Sequence, residues 1–213
     1  MSVGWILLHP TGPETAPTAL PTPSIHRVTP ATPAAPLPVA PDVPSATPAP
    51  DVVINASVPL RLTLPSIGID GAVSKYTQSM IDSRGGFDPT ELTTIAWDTT
   101  IAGGLAGTDS TNTVYLYGHS WVDTAVFNDL KDLRPGAVAS IDTANGRLCY
   151  VEQKSLKLDK AQYKNNDELT DAIPNRLVLV SCYRPVGYDP NSATVQNIVA
   201  VLQLDQDKTN VGC

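Results

Sequence analysis

Residues 175–182 read NRLVLVSC. Between Arg176 and Ser181 the run is wholly apolar and half of it is β-branched. A strand with one wet face alternates polar and apolar residues, whereas an unbroken apolar run is a strand covered on both faces. The stretch therefore predicts a central strand that ends at Cys182. A second strong strand, NTVYLYGHS over 112–120, ends at Gly118-His119.

Weaker segments fill in around these two. VPLRLTLPSIGI (58–69) alternates and runs into a Pro turn, and GAVSKY (71–76), IAWD (95–98) and NIVAVLQLD (197–205) are further strands. GAVASIDTANGRLCYVEQKSLKLD (136–159) reads as a hairpin, because Asn145-Gly146 suits a two-residue turn with positive φ. In VDTAVFNDLKDLRPGA (122–137), Val126, Leu130 and Leu133 recur at helical spacing and the Arg-Pro-Gly run stops the helix. DELTDAI (167–173) predicts another short helix. SMIDSRGGFDPT (79–90) is turn-rich, with room for one helical turn, and IAGGLAGTDSTN (101–112) is a Gly-rich loop. About eight strands and one or two short helices, in this order, predict a mostly β protein closed as a barrel.

The N-terminal part is different. Of the 20 prolines, 14 lie in the first 59 residues, among Ala, Thr, Ser and Val. Such a composition buries too little apolar surface to offset its ordering entropy, and Pro withholds a backbone donor. The expected organisation is a disordered Pro/Ala/Thr-rich stalk over 1–56, a folded domain over 57–208 and a tail over 209–213. The opening MSVGWILLHP is apolar but too short to span a bilayer, so an export signal reads as weak or incomplete. A Pro/Thr stalk nonetheless suits an extracytoplasmic protein at the cell surface or tethered to a membrane.

The net charge is −7, with no Lys/Arg cluster, which argues against a nucleic-acid partner because phosphate neutralisation needs a basic footprint. Three cysteines make no disulfide framework. Cys149, mid-strand, is expected as a small core residue, and Cys213, the last residue, as an exposed thiol.

His119 is the one histidine of the folded part, since His9 and His26 lie in the stalk. Like Cys182 it closes a strong strand, where a rigid scaffold presents functional groups. A thiol attacks a carbonyl as its thiolate, and an imidazole beside it can hold the proton and pass it to a leaving amine. The competing reading is a structural cysteine and an unrelated surface histidine.

The local sequences bear on that choice. YLYGHSWVDTAVFNDLKDLRPGA (115–137), followed by LVLVSC ending at 182, resembles the sortase family, in which a His follows a strand in a GH context and the Cys ends a strand in a TLxTC-type motif. PLRLTLPSIGIDGAV (59–73) resembles the start of the same domain. The resemblance covers roughly 58–205 and looks closest to the actinobacterial class E/F branches. It implies a closed eight-stranded β-barrel and a cysteine transpeptidase that cleaves an LPxTG- or LAxTG-like sorting signal. The acyl group would pass to an amine of cell-wall precursor or pilin. Cys182 would be the nucleophile and His119 the proton carrier, with no cofactor, no metal and a monomeric chain.

The chain departs from the pattern in two places. VLVSC keeps a hydroxyl at Ser181 but has Val178 where the motif has Thr. The family's Arg near the start of the last strand falls at Thr194 or Gln196 in SATVQNIV (192–199). Either Arg184 reaches back over the thiol, or Gln196 donates a neutral hydrogen bond in its place. Tyr183 and Trp121 are expected to line the peptide groove, and Trp97 either the groove or the core. Asp123 and Asp129 could orient His119, or serve as a helix start and a surface charge. Asp82, Asp88 and Glu91 match no calcium loop. Two other readings stand beside the transpeptidase: a sortase-fold module that only binds sorting-signal peptides, and an L,D-transpeptidase-like wall enzyme, for which SCYR (181–184) lacks the preceding His-Gly.

Overall fold

The computed structural model describes residues 50–100, 104–162 and 165–213; the proposed stalk lies almost wholly outside them. Eight strands form a closed barrel in the order β1-β2-β3-β4-β7-β8-β6-β5. They are β1 (Pro59–Leu64), β2 (Ile69–Tyr76), β3 (Ile95–Asp98), β4 (Thr113–Tyr117), β5 (Val138–Thr143), β6 (Gly146–Asp159), β7 (Arg176–Cys182) and β8 (Gln196–Leu204). The β2–β3 and β4–β7 pairs are parallel and the rest antiparallel. The expected closed barrel is therefore found, and β5 and β6 form the expected hairpin, but its two turn residues are Ala144 and Asn145, with Gly146 paired to Thr143 as the first residue of β6.

The unbroken apolar run of β7 has the predicted cause. Leu177 and Leu179 point into the barrel with Leu62, Ile141, Leu148 and Leu202. Val178 and Val180 point outward, into a second cluster with Tyr76, Tyr115, Tyr117 and Val199. Full burial of each valine is worth about 1.5–3 kcal/mol. The outer cluster is capped by Met80 and Ile81 of α1 (Gln78–Arg84), by Phe87, and by Leu169 of α2 (Asp167–Thr170). Thr77 caps α1 by accepting from the Met80 N–H, and Gly85, at φ 73°, ends it.

Two expectations are corrected. Residues 122–137 form no α-helix, only consecutive turns with a 3-10 turn at Leu130–Asp132. The backbone donors of that stretch are used elsewhere: Val126 N–H bonds the Leu92 carbonyl and Phe127 N–H the His119 carbonyl, both at 2.9 Å. Of the residues at helical spacing, Leu130 and Leu133 are buried and Val126 is half-buried, but tight turns, with Phe127 buried beside them, replace the helix.

Cys213 is not a free thiol. It forms a disulfide with Cys149, with Cα atoms 5.8 Å apart. The last helix, α3 (Gln206–Val211), folds back on β6 and buries Thr209, whose hydroxyl accepts the Cys149 N–H at 3.1 Å. Asp205 caps this helix through the Lys208 N–H at 2.8 Å. Sixty-four residues separate the two cysteines, and their spacing alone does not reveal that the chain end returns to β6.

Candidate active site

The parallel β4–β7 pair sets the site. Tyr117 stands opposite Val180, so two residues further along each chain His119 and Cys182 come to neighbouring strand ends on the same face. The junction is tied three times. Gly118 N–H donates to the Val180 carbonyl at 3.1 Å. The Ser181 hydroxyl donates to the Gly118 carbonyl at 2.9 Å, and the Ser120 hydroxyl to the Cys182 carbonyl at 2.5 Å. Gly118 is required by packing: a Cβ there would lie 2.6 Å from Cδ2 of Phe127 and 2.7 Å from Cγ1 of Val126.

His119 and Cys182, both partly exposed, line one groove of about 410 Å³. Its floor is Tyr117, Val180, Ser181 and Asn197, and its wall is the segment from Arg84 to Pro89. The Tyr76 hydroxyl pins that wall, accepting the Asp88 N–H at 3.2 Å and donating to the Asp88 carbonyl at 3.0 Å. Phe87 stacks on Tyr117 with ring centroids 4.1 Å apart. His119 Nε2 lies 2.8 Å from the Pro89 carbonyl and 3.6 Å from Asp88 Oδ1. A carbonyl only accepts, so Nε2 carries the hydrogen. The carboxylate nearest His119 is thus Asp88, which also holds Arg84 at 2.7 Å, rather than Asp123 or Asp129.

The other expected residues scatter. Arg184 is outside the groove: its Nε donates to the Ser120 carbonyl at 3.0 Å, and its guanidinium lies 4.5 Å from the Trp121 ring centroid and 5.1 Å from that of Tyr188. Its Nη1 is buried without a partner among the described residues. Arg184 and the exposed Trp121 share a neighbouring cleft of about 320 Å³. Gln196 Nε2 donates to Asp159 at 3.0 Å, and Tyr183 lies under the Lys157 ammonium, 4.2 Å from its ring centroid, so neither lines the groove. Thr194 is buried and accepts the Lys160 ammonium at 2.7 Å. Trp97 belongs to the core, with its indole N–H on the Gly104 carbonyl at 2.8 Å. Sequence reading missed Phe87, Pro89, Lys160 and Asn197. Only the Gly85-Gly86 pair, which signals a sharp return of the chain, could have pointed to the first two.

No protein-family model and no curated protein matches the chain. Solved structures do. Sortase A of Listeria monocytogenes matches with a TM-score of 0.50 at 17% identity, over 71% of this chain and 88% of that one. Sortase C-1 of Actinomyces oris matches with 0.50 at 18%, over 68% and 72%. A lid mutant of sortase A from Corynebacterium diphtheriae matches with 0.50 at 15%, over 71% and 72%. The chain has the sortase fold. At these identities the likeness is one of architecture, and what this sortase-fold barrel does must be argued from its own residues.

Proposed function

We propose that the protein is a sortase-type cysteine transpeptidase, with Cys182 as nucleophile and His119 as proton carrier. The observation that carries this reading is the β4–β7 register, which brings the one histidine and the one free cysteine of the described residues to adjacent strand ends in a single groove. In the first half-reaction Sγ of Cys182 attacks the carbonyl carbon of the Thr–Gly bond in an LPxTG- or LAxTG-like peptide. The C–N bond breaks, His119 gives a proton to the leaving amine, and a thioester remains. In the second, an amine of cell-wall precursor or pilin attacks the thioester, His119 takes its proton, and the C–S bond breaks to release Cys182 as its thiolate.

The mixed apolar and polar floor and the wall of Arg84 to Pro89 suit an extended peptide, whose carbonyls and N–H groups need partners. Ser181 acts by position, since its hydroxyl is committed to Gly118. The class E/F placement rests on the sequence motifs. An extracytoplasmic location is supported by the Cys149–Cys213 disulfide, because such bonds persist in oxidising compartments. No helix among the described residues is long and apolar enough to cross a membrane.

The test is incubation with labelled LPxTG and LAxTG peptides and mass spectrometry of the intact protein. A thioester adduct is expected on Cys182, absent in C182A and strongly reduced in H119A. A second reading, a peptide-binding module without chemistry, draws on the neutral Asn197 opposite Cys182. Tight peptide binding with no adduct across the panel would establish it and sink the transpeptidase.

A further inference from the structure

A tetrahedral oxyanion over Cys182 needs a donor, and a charged one serves best. The residues at the expected Arg positions do not supply it: Thr194 is a hydroxyl and Gln196 is turned to Asp159. Arg184 belongs to the neighbouring cleft. Two cations line the groove itself, Arg84 and Lys160. Arg84 is neutralised by Asp88, 2.7 Å away. Lys160 is different. Among the described residues no carboxylate lies within ion-pair distance of it, and its ammonium rests on the neutral Thr194 hydroxyl at 2.7 Å.

Strand register puts Lys160 on the same face as the thiol. Cys182 stands opposite Asn197 on one side of β8, and Leu158 stands opposite Asn197 on the other. Facing residues share a sheet face, and so do residues two apart on a strand. The step from Leu158 to Lys160 therefore stays on that face, and the Lys160 N–H continues the ladder by bonding the Val195 carbonyl at 2.9 Å.

We propose that Lys160, docked on Thr194, is the cation of the Cys182–His119 groove and donates to the scissile carbonyl oxygen of the bound peptide. The catalytic part of this rests on the transpeptidase reading. An ammonium has three hydrogens; Thr194 takes one and two remain for substrate. When Sγ attacks, the carbonyl π pair moves to oxygen and Lys160 stabilises that charge. When the C–N bond breaks, the pair returns and the amine leaves with the proton from His119. Lys160 keeps its own proton throughout. The positive charge thus enters from the end of β6 onto Thr194, one of the two positions just before and at the start of β8 where the sequence pattern would have placed an arginine.

The charge can be tested without turnover. Cys182 of the full chain, with its disulfide intact, is modified by an anionic sulfonatoethyl methanethiosulfonate and by its cationic trimethylammonioethyl counterpart. Each forms a mixed disulfide with the thiolate and releases methanesulfinate. The anionic-to-cationic rate ratio is expected to fall about five- to tenfold in K160M, stay near wild type in K160R, and be unmoved in R184A. A change under twofold in K160M, or an equal fall in R184A, overturns the proposal. Peptide acylation then separates the two ideas. K160M should lose about 10²–10³ in kcat/KM with K160R retaining most of it, while a K160M within threefold of wild type refutes Lys160 alone. A wild type that forms no adduct refutes the transpeptidase, and the reagent ratio still decides whether Lys160 charges the groove.

Discussion

The imidazole of His119 is held by the backbone of Pro89: Nε2 and the carbonyl oxygen are 2.8 Å apart. The residue proposed to carry protons is thus oriented by the segment that walls its own groove. That segment is in turn anchored by a buried hydroxyl, since Tyr76 is 1% exposed and holds Asp88 through both backbone groups.

Tyr76→Phe removes the anchor and leaves the Asp88 N–H without its partner, while the Asp88 carbonyl keeps the Arg84 Nε–H. Leaving such a group unsatisfied costs about 1–3 kcal/mol. Urea unfolding should show a loss in that range. Acylation should slow by more than the change in peptide affinity accounts for, because the imidazole loses its fixed carbonyl. An unchanged acylation rate would show that the Pro89 contact does not position the ring.

Gly118→Ala drives a methyl into Phe127 and Val126 at 2.6–2.7 Å. Phe127 is fully buried and cannot withdraw, so overpacking of about 1–3 kcal/mol is expected. The same push displaces His119, the next residue, so activity should fall further than stability does. Thermal unfolding and the adduct assay on one preparation give both readouts.

The Cys149–Cys213 bond closes a 64-residue separation. Loop-closure entropy for that length corresponds to about 4 kcal/mol at most in the chain-entropy view. Cys213→Ser should lower unfolding stability by about 2–4 kcal/mol and leave the alkylation rate of Cys182 unchanged in the folded protein. Mass spectrometry of the alkylated chain without reductant should find one reactive thiol in wild type.

Glu152 is buried at the bulge of β6, with Oε1 accepting the Ser155 hydroxyl at 2.9 Å and Oε2 unpartnered. Burial pushes its carboxyl above the usual glutamate range, the Ser155 bond and the Arg134 charge only partly opposing it. The folded state therefore binds this proton more tightly than the unfolded chain does. Stability is highest where the group is protonated in both states and falls as pH rises from the ordinary glutamate value through the raised folded one. Glu152→Gln should remove that fall and make the protein more stable than wild type at neutral pH. Denaturant midpoints from pH 4 to pH 7 check the sign, and a wild type that gains stability on this rise would contradict it.

What could be read in the chain and what could not divides along sequence distance. The double-faced run of 177–180 announced a central strand, the Asn145-Gly146 pair announced the β5–β6 hairpin although the turn falls one residue earlier, at Ala144-Asn145, and Gly118-His119 and Ser181-Cys182 marked two strand ends with reactive groups. These are local signals, carried by periodicity and backbone restriction within a few residues. The turns of 122–137 escaped because the i, i+4, i+7 spacing of Val126, Leu130 and Leu133 fits an α-helix, whereas the choice lies with the Leu92 and His119 carbonyls that take the backbone donors of the stretch.

By itself the sequence determined a two-faced β core and a cysteine and a histidine at strand ends. Only the tertiary structure decided what surrounds them. Barrel closure sets Lys160 and Thr194 beside each other across 34 residues, folds Pro89 back onto His119 across 30, and returns Cys213 to Cys149. It also sets Arg184 over Trp121 in the neighbouring cleft, although it is only two residues beyond Cys182. Proximity along the chain is set by covalent bonds. Proximity in the groove is set by strand register, which no short window of sequence contains.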